Sequence, residues 1–485
     1  KDILSSDLQE QIVLLQHDIG FTHARLWGLF GEDMLVEDHV GGMTTYNFTH
    51  INKVLDFLTR QQLKPFIELG PKPKIISKQR DCSIVIQHSK DRNIEEWTNL
   101  YKAFLLHCIE RYGIEEVEKW YFELWSKRID PFFDEDQQES AEPNPFDAYL
   151  RLFGALKRIA KELVPAAKFG GCGISMELEV DRLDDLLQQW KREEHKPDFL
   201  SVYVYPIEID EEKQRFPIRN VQSANHQYER IKLSQISRCL KKAGFEGLEL
   251  NVTEWNLSPF NRDYLHDSCF KAAYLVKMIT DLLNRDQPNM LGYWQCSDLF
   301  SEDRDAKQLL HGGTGLMTKN GIKKPSYHAY MLLNQLGDQW VAQGQHFVVT
   351  KKSGDRYQVL CFNYKHFRYA FYFQPEGSFG FREQNRMFEN MDVLRLSLEI
   401  QGIPNGKYRV KEKRLNRDQG SILDEWLNFG PVDDWKPDEI QYLKQICVPR
   451  MKVEHTVVDN RSIVLKGELE PHEVRLFEIQ LLYGG

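Results

Sequence analysis

Through the first 330 residues, short apolar runs alternate with longer segments of helical apolar spacing, and no other feature limits the possible folds as tightly. The runs at Ala24 to Leu26, Pro65 to Glu68, Tyr121 to Trp125, Lys168 to Gly171, Phe199 to Val204, Glu249 to Thr253 and Met290 to Tyr293 read as strands. Between them, Ile51 to Arg60, Ile94 to Arg111, Pro145 to Lys161 and Asp267 to Leu283 read as amphipathic helices. Such alternation predicts βα units around a parallel sheet. Seven strands are one short of a (β/α)8 barrel. After Pro325-Ser-Tyr-His-Ala-Tyr330 the texture changes to short alternating stretches separated by turn residues: Phe347 to Thr350, Tyr357 to Phe362, Tyr369 to Phe373, Val393 to Ile400, Tyr408 to Lys413, Ser462 to Leu465 and Val474 to Gln480. These predict a β-sandwich. The expected organisation is therefore an α/β barrel over residues 1–330 and a sandwich over 331–485, with the acidic segment Asp424 to Asp438 forming a helix and loop on the sandwich.

A chain of 485 residues, 41% hydrophobic and 28% charged, is long enough for a large core and a second domain. It has no run of about 18 apolar residues and no apolar segment at its amino end, so neither a membrane span nor an export signal is expected. Its eight cysteines form no C-x-x-C pair and read as buried reduced thiols, which fits a cytoplasmic setting. A net charge of −9 without a long basic stretch argues against a grip on nucleic acid by this chain alone.

Ordered blocks along the chain carry a more specific message. They are Asp18-Ile-Gly-Phe21, Arg25-Leu-Trp-Gly-Leu-Phe30, Tyr46-Asn-Phe48, Lys64-Pro-Phe-Ile-Glu-Leu-Gly70, Trp120 to Trp125, Asp198-Phe-Leu-Ser201, Thr253-Glu-Trp-Asn256, Tyr293-Trp294, Ser297-Asp298 and His311-Gly-Gly-Thr-Gly-Leu316. In this order they resemble glycoside hydrolase family 39, best known for β-xylosidases. The resemblance implies a (β/α)8 barrel beside a β-sandwich, with no metal or organic cofactor. The family has a further strand ahead of the region matched by Lys1, so Lys1, which is not an initiator Met, is read as a boundary with that strand upstream.

Chemistry in such a barrel sits at the carboxyl ends of its strands. Retaining glycosidases need two carboxyl groups about 5 to 5.5 Å apart, one a nucleophile and the other an acid and then a base. The resemblance puts Glu254 at the nucleophile position. Where the family's strand ends in W-N-E-P, this chain has Trp125-Ser-Lys-Arg128, so Lys127 replaces the acid/base glutamate and Ser126 the asparagine. With an ordinary pKa near 10.4 a lysine donates but does not readily cycle to a base. Either Lys127 faces Glu254 as an ion pair, or its loop has shifted and it points to solvent. Glu123 shares the strand parity of Lys127 but lies roughly 13 Å deeper, too far to reach the same leaving group. Asp130 and Asp134-Glu-Asp136 could fold over the pocket or form a solvated surface.

The sugar-contact positions depart as well. Trp27 and Tyr203 stand where the family has histidines, in pocket or core roles alike, and Ser301-Glu302 where it has two acids. Glu68, Trp125, Glu254, Trp255, Trp294 and His311 match the family's pocket, and Tyr205, two residues after Tyr203, is a further substrate-binding candidate. Aromatic planes with a few carboxylates suit a small carbohydrate, a pentoside above all. The reading that follows is a non-catalytic, carbohydrate-binding sensor, like the xylosidase-like modules of AraC-type regulators that reach DNA through an upstream helix-turn-helix domain. Its alternatives are an active retaining glycosidase with an unusual acid/base and a structural interaction module. The residues do not fix an oligomeric state.

Overall fold

The computed structural model describes residues 2–41, 43–70, 74–77, 84–87, 92–125, 145–176, 180–207, 223, 225–259, 263–283, 288–299, 308–368, 385–430 and 435–484. Seven parallel strands form one sheet whose spatial order is their chain order: β1 (His23–Leu26), β2 (Lys64–Leu69), β3 (Tyr121–Trp125), β4 (Lys168–Ser175), β5 (Phe199–Val204), β6 (Glu249–Trp255) and β7 (Met290–Tyr293). This is a TIM-type barrel. The seven strands read from the sequence are the seven of this sheet, and β1 and β7, at its two ends, are not paired with each other.

Helices wrap the sheet: α1 (Ser6–Ile19), α2 (Thr49–Arg60), α3 (Ile94–Tyr112), α4 (Pro145–Leu163), α5 (Val180–Trp190), α6 (Tyr228–Ala243), α7 (Cys269–Leu282) and α8 (Pro325–Leu333). In α2 the stripe Ile51, Val54, Leu55, Leu58 recurs at helical spacing and is fully buried, each side chain contributing about 1.5–3 kcal/mol of transfer free energy. Helix α3 starts on a reciprocal cap: the Asn93 side chain accepts from the Glu96 N–H at 2.9 Å, and the Glu96 carboxylate accepts from the Asn93 N–H at 2.8 Å. The bounds of the four helices expected from periodicity lie within two residues of those observed.

Beyond α8 the strands are antiparallel: β8 (Gln339–Gly344), β9 (Phe347–Lys352), β10 (Arg356–Phe362), β11 (Leu394–Gln401), β12 (Gly406–Leu415), β13 (Arg450–Val458), β14 (Ser462–Leu469) and β15 (Val474–Gly484). Six of them form a sheet in the order β8-β9-β10-β15-β12-β13, and β11 with β14 forms a two-stranded second layer. Val359, Tyr408, Ile463 and Leu465 fill the space between. Two of these antiparallel strands escaped the sequence reading, β8 and β13, both at the edges of the larger sheet. The predicted stretch Tyr369 to Phe373 lies outside the described residues.

One placement differs from expectation. The acidic segment belongs to two helices, α9 (Ile422–Phe429) and α10 (Pro437–Ile446), and these pack on a barrel loop rather than on the sandwich. Ile422, Leu423, Trp426 and Leu443 share a core with Leu309, Leu310 and Ile322, and the Trp426 ring stacks on Tyr264 at 6.1 Å. The amphipathic face was legible; the surface that covers it, 100 or more residues away in the chain, was not. A second seam joins the halves: Ala272 and Val276 of α7 and Ala329 and Leu332 of α8 meet Leu360, Leu415, Val474 and Leu476.

Candidate active site

At the carboxyl ends of the barrel strands, one guanidinium organises the interior. Arg25 on β1 donates from Nε to Glu123 at 2.7 Å, from Nη1 to Glu254 at 2.8 Å, and from Nη2 to Glu68 at 2.5 Å and to the Tyr203 hydroxyl at 2.8 Å. Five strands thus contribute to a single cluster: β1, β2 (Glu68), β3 (Glu123), β5 (Tyr203) and β6 (Glu254). Burial by itself lowers the Arg25 pKa, but Glu123, Tyr203, Glu68 and Glu254 outweigh it and raise the group well above its ordinary value. A planar, forked cation is the side chain that can serve four acceptors at once.

A bulge brings Glu254 into this cluster. Between β5 and β6 the register slips, Val252 facing Val202 while Glu254 faces Tyr203, so Thr253 is an extra residue on β6. In a regular strand Thr253 and Glu254 would point to opposite faces. Here the Thr253 hydroxyl donates to Glu123 at 3.4 Å while Glu254 reaches Arg25, so neighbours in sequence both turn inward. A second slip, at Gly173 on β4, serves the same end. Gly173 has a φ of +69°, and a Cβ there would lie 2.6 Å from the Trp125 ring and 3.0 Å from the Tyr203 hydroxyl. The position therefore requires glycine.

Glu254 has its second carboxylate oxygen in reach of the Tyr205 hydroxyl, which donates at 3.3 Å. A carboxylate fixed by a cation on one oxygen and a phenol on the other, 8% exposed at the strand end, is held in one orientation. Around it, Trp125, Tyr203, Tyr205 and Ile207 form a small buried cluster.

The other expected contacts separate by depth. Trp27 and Trp294 are half-buried, their rings 6.3 Å apart and tilted by 33°, and together make one aromatic platform. Glu68 is only 2% exposed and is spent on Arg25, and Tyr203 lies with its ring under the same guanidinium, so both support the site from below. Trp125 is fully buried beside them. Trp255 turns into the core against Tyr274 and Tyr293 rather than onto the mouth, because the bulge that presents Glu254 points its neighbour outward. His311 is likewise buried, in the loop that Asn256 ties to the Trp294 backbone. Lys127, Ser126, Ser301 and Glu302 lie outside the described residues; the cation seen on Glu254 is Arg25.

That loop hangs on a second buried cation. Lys324 bridges Asp267 and Asp298, each at 2.6 Å, and donates to the Gly313 carbonyl at 2.8 Å. The same two carboxylates accept from the Gly312 and Gly315 N–H groups at 2.9 and 2.8 Å. Asn256 in turn donates to the carbonyls of Trp294 and Thr314, tying the platform to the loop.

Sequence reasoning missed Arg25 and Lys324. The signal was present, since a charged residue inside an apolar strand must find a partner. Arg25 was read as part of a strand and of a family-matching block, without a role in the site. Among the described residues no group of three or more His, Cys, Asp or Glu side chains could hold a metal ion, the three converging carboxylates being occupied by Arg25.

The profile of glycosyl hydrolases family 39 matches residues 2–462. The chain belongs to this family. A family 39 fold is also what solved structures show: a GH39 enzyme from Xanthomonas axonopodis pv. citri superimposes with a TM-score of 0.82 at 22% identity, covering 99% of this chain and 92% of that one. A β-xylosidase of Caldicellulosiruptor saccharolyticus is 27% identical over 482 residues, 97% of this chain and 91% of its own length. An uncharacterized HTH-type transcriptional regulator of Staphylococcus aureus is 20% identical over 232 residues, 48% of this family 39 chain and 29% of the regulator.

Proposed function

We propose that this chain is a β-xylosidase-like glycoside hydrolase that works through Glu254 on small β-pentosides, with Lys127 where the family has its acid/base glutamate. One observation carries the reading: Glu254 is held between Arg25 and Tyr205 at the end of its strand, in the geometry a carboxylate nucleophile needs. The end-to-end similarity to a β-xylosidase supports it over the sensor reading, since the regulator match spans under half of the chain. A Glu254 oxygen attacks the anomeric carbon, and the aglycone leaves with the electrons of the broken bond. Water then cleaves the glycosyl ester, returning the carboxylate and giving its proton to solvent. Without a strong acid, natural xylosides lose about 10²- to 10⁴-fold in rate, while aryl glycosides, whose phenolate leaves unaided, lose least.

A dinitrophenyl 2-deoxy-2-fluoroxyloside should accordingly leave its fluorosugar on Glu254, read as an added mass on the peptide that contains it. Glu254→Gln should stay unlabelled. Absence of the adduct, together with aryl xyloside turnover no faster than in the Gln variant, would sink the proposal.

The second reading, a sensor for a small carbohydrate acting on DNA through another domain, rests on Ser126-Lys127-Arg128 and on the partial likeness to a regulator. A ligand that binds only the folded form raises stability by RT ln(1 + [L]/Kd). Xylose, arabinose or their short β-linked oligomers should then raise the melting temperature at millimolar concentration, and Trp294→Ala should abolish the shift. A flat screen in the unaltered protein rejects sensing of these sugars.

A further inference from the structure

The two edges of the large sheet are built differently. The β8 edge is broken by a register slip between Trp340 and Ala342, a common way of twisting an edge out of reach of other chains. At the other edge β13 pairs with β12 in an unbroken register of nine residues, Arg450 to Val458, and offers its far side to solvent. Met451 is 60% exposed, Val453 39% and Val457 72%, although a strand this open is normally polar. Nothing among the described residues covers it.

The charge pattern says what fits there. Lys452 and Glu454 lie two apart on one face, an ion pair within the strand whose side chains are 58% and 60% exposed and so open to exchange partners with a second copy. A lysine on an edge usually repels a second copy. If two copies of β13 pair antiparallel about a two-fold axis through Val453, however, each Lys452 stands directly opposite Glu454 of the second copy, twice by symmetry. On the other face Val453 meets its own counterpart, and Met451 lies opposite His455. Pro449, which has no N–H, ends the ladder on each side. The edge is therefore complementary to itself in this register, which is the requirement of an isologous contact.

We propose that β13 is a homodimerisation edge, joining the six-stranded sheets of two copies into one continuous sheet across paired Val453 residues. The proposal is independent of any activity at Glu254.

Sedimentation equilibrium on the full chain should give twice the monomer mass, with amides 451–457 exchanging more slowly at high protein concentration than at low. Glu454→Lys sets lysines against lysines at two places and should weaken the dimer about tenfold or more. The double exchange K452E/E454K restores opposite charges and should restore the dimer, which a variant that had merely misfolded would not do. A monomer at all concentrations, or a dimer indifferent to both changes, would overturn the proposal.

Discussion

Arg25→Met should cost about 3–5 kcal/mol of stability and all covalent chemistry at Glu254. The side chain is nearly buried, and removing it leaves the carboxylates of Glu68, Glu123 and Glu254 in the barrel interior without the cation they share. Coulomb repulsion among them and the loss of four hydrogen bonds act in the same direction. Arg25→Lys keeps the charge but not the fork, since an ammonium cannot span partners contributed by four other strands. It should recover part of the stability and little of the labelling of Glu254. Urea unfolding midpoints with the fluoroxyloside adduct as second readout test this. An Arg25→Met protein that unfolds at the wild-type midpoint would remove Arg25 from its central place.

Lys324→Ala should be comparably severe, about 3–5 kcal/mol, because it strands Asp267 and Asp298 where both are fully buried. The loop that Asn256 ties to the Trp294 backbone would lose its anchor, so carbohydrate binding should weaken along with stability. One cation between two carboxylates also has a pH signature. Burial raises the Asp267 carboxyl, Lys324 opposes that shift and the nearby charge of Asp298 adds to it, leaving it pushed up from 3.8 to about 6. A pKa raised on folding means that the contribution to stability is fully present below pH 3.8 and is lost as pH rises through about 6. Mild acid thus strengthens this site while it weakens ordinary ion-paired carboxylates. Asp267→Asn, neutral at every pH and still able to accept from the Gly312 N–H, should be far milder at neutral pH than Lys324→Ala. It should also remove the gain between pH 6 and 4. Thermal melts across that window measure both, and equal losses in the two variants would contradict the assignment.

Much of the architecture was written in periodicity. Buried parallel strands such as Phe199–Val204 are apolar on both faces, and helices such as α2 carry one stripe, so each declares its own environment locally. The edge strand β13, whose first six residues are exposed and mix charge with valine and methionine, carries no such signature and was missed. Glu254 stood out because its surroundings resemble a family motif.

What the sequence by itself determined, then, was the order of strands and helices and the carboxylate at the end of β6. Only the tertiary structure decided which residues hold that carboxylate. Arg25, Glu68, Glu123 and Tyr203 are far apart in the chain, and the bulge at Thr253 that turns Glu254 toward them exists only once β5 and β6 are paired. Local pattern reports how a residue meets water. Which charges share one buried cation depends on barrel closure, and no window of sequence contains that information.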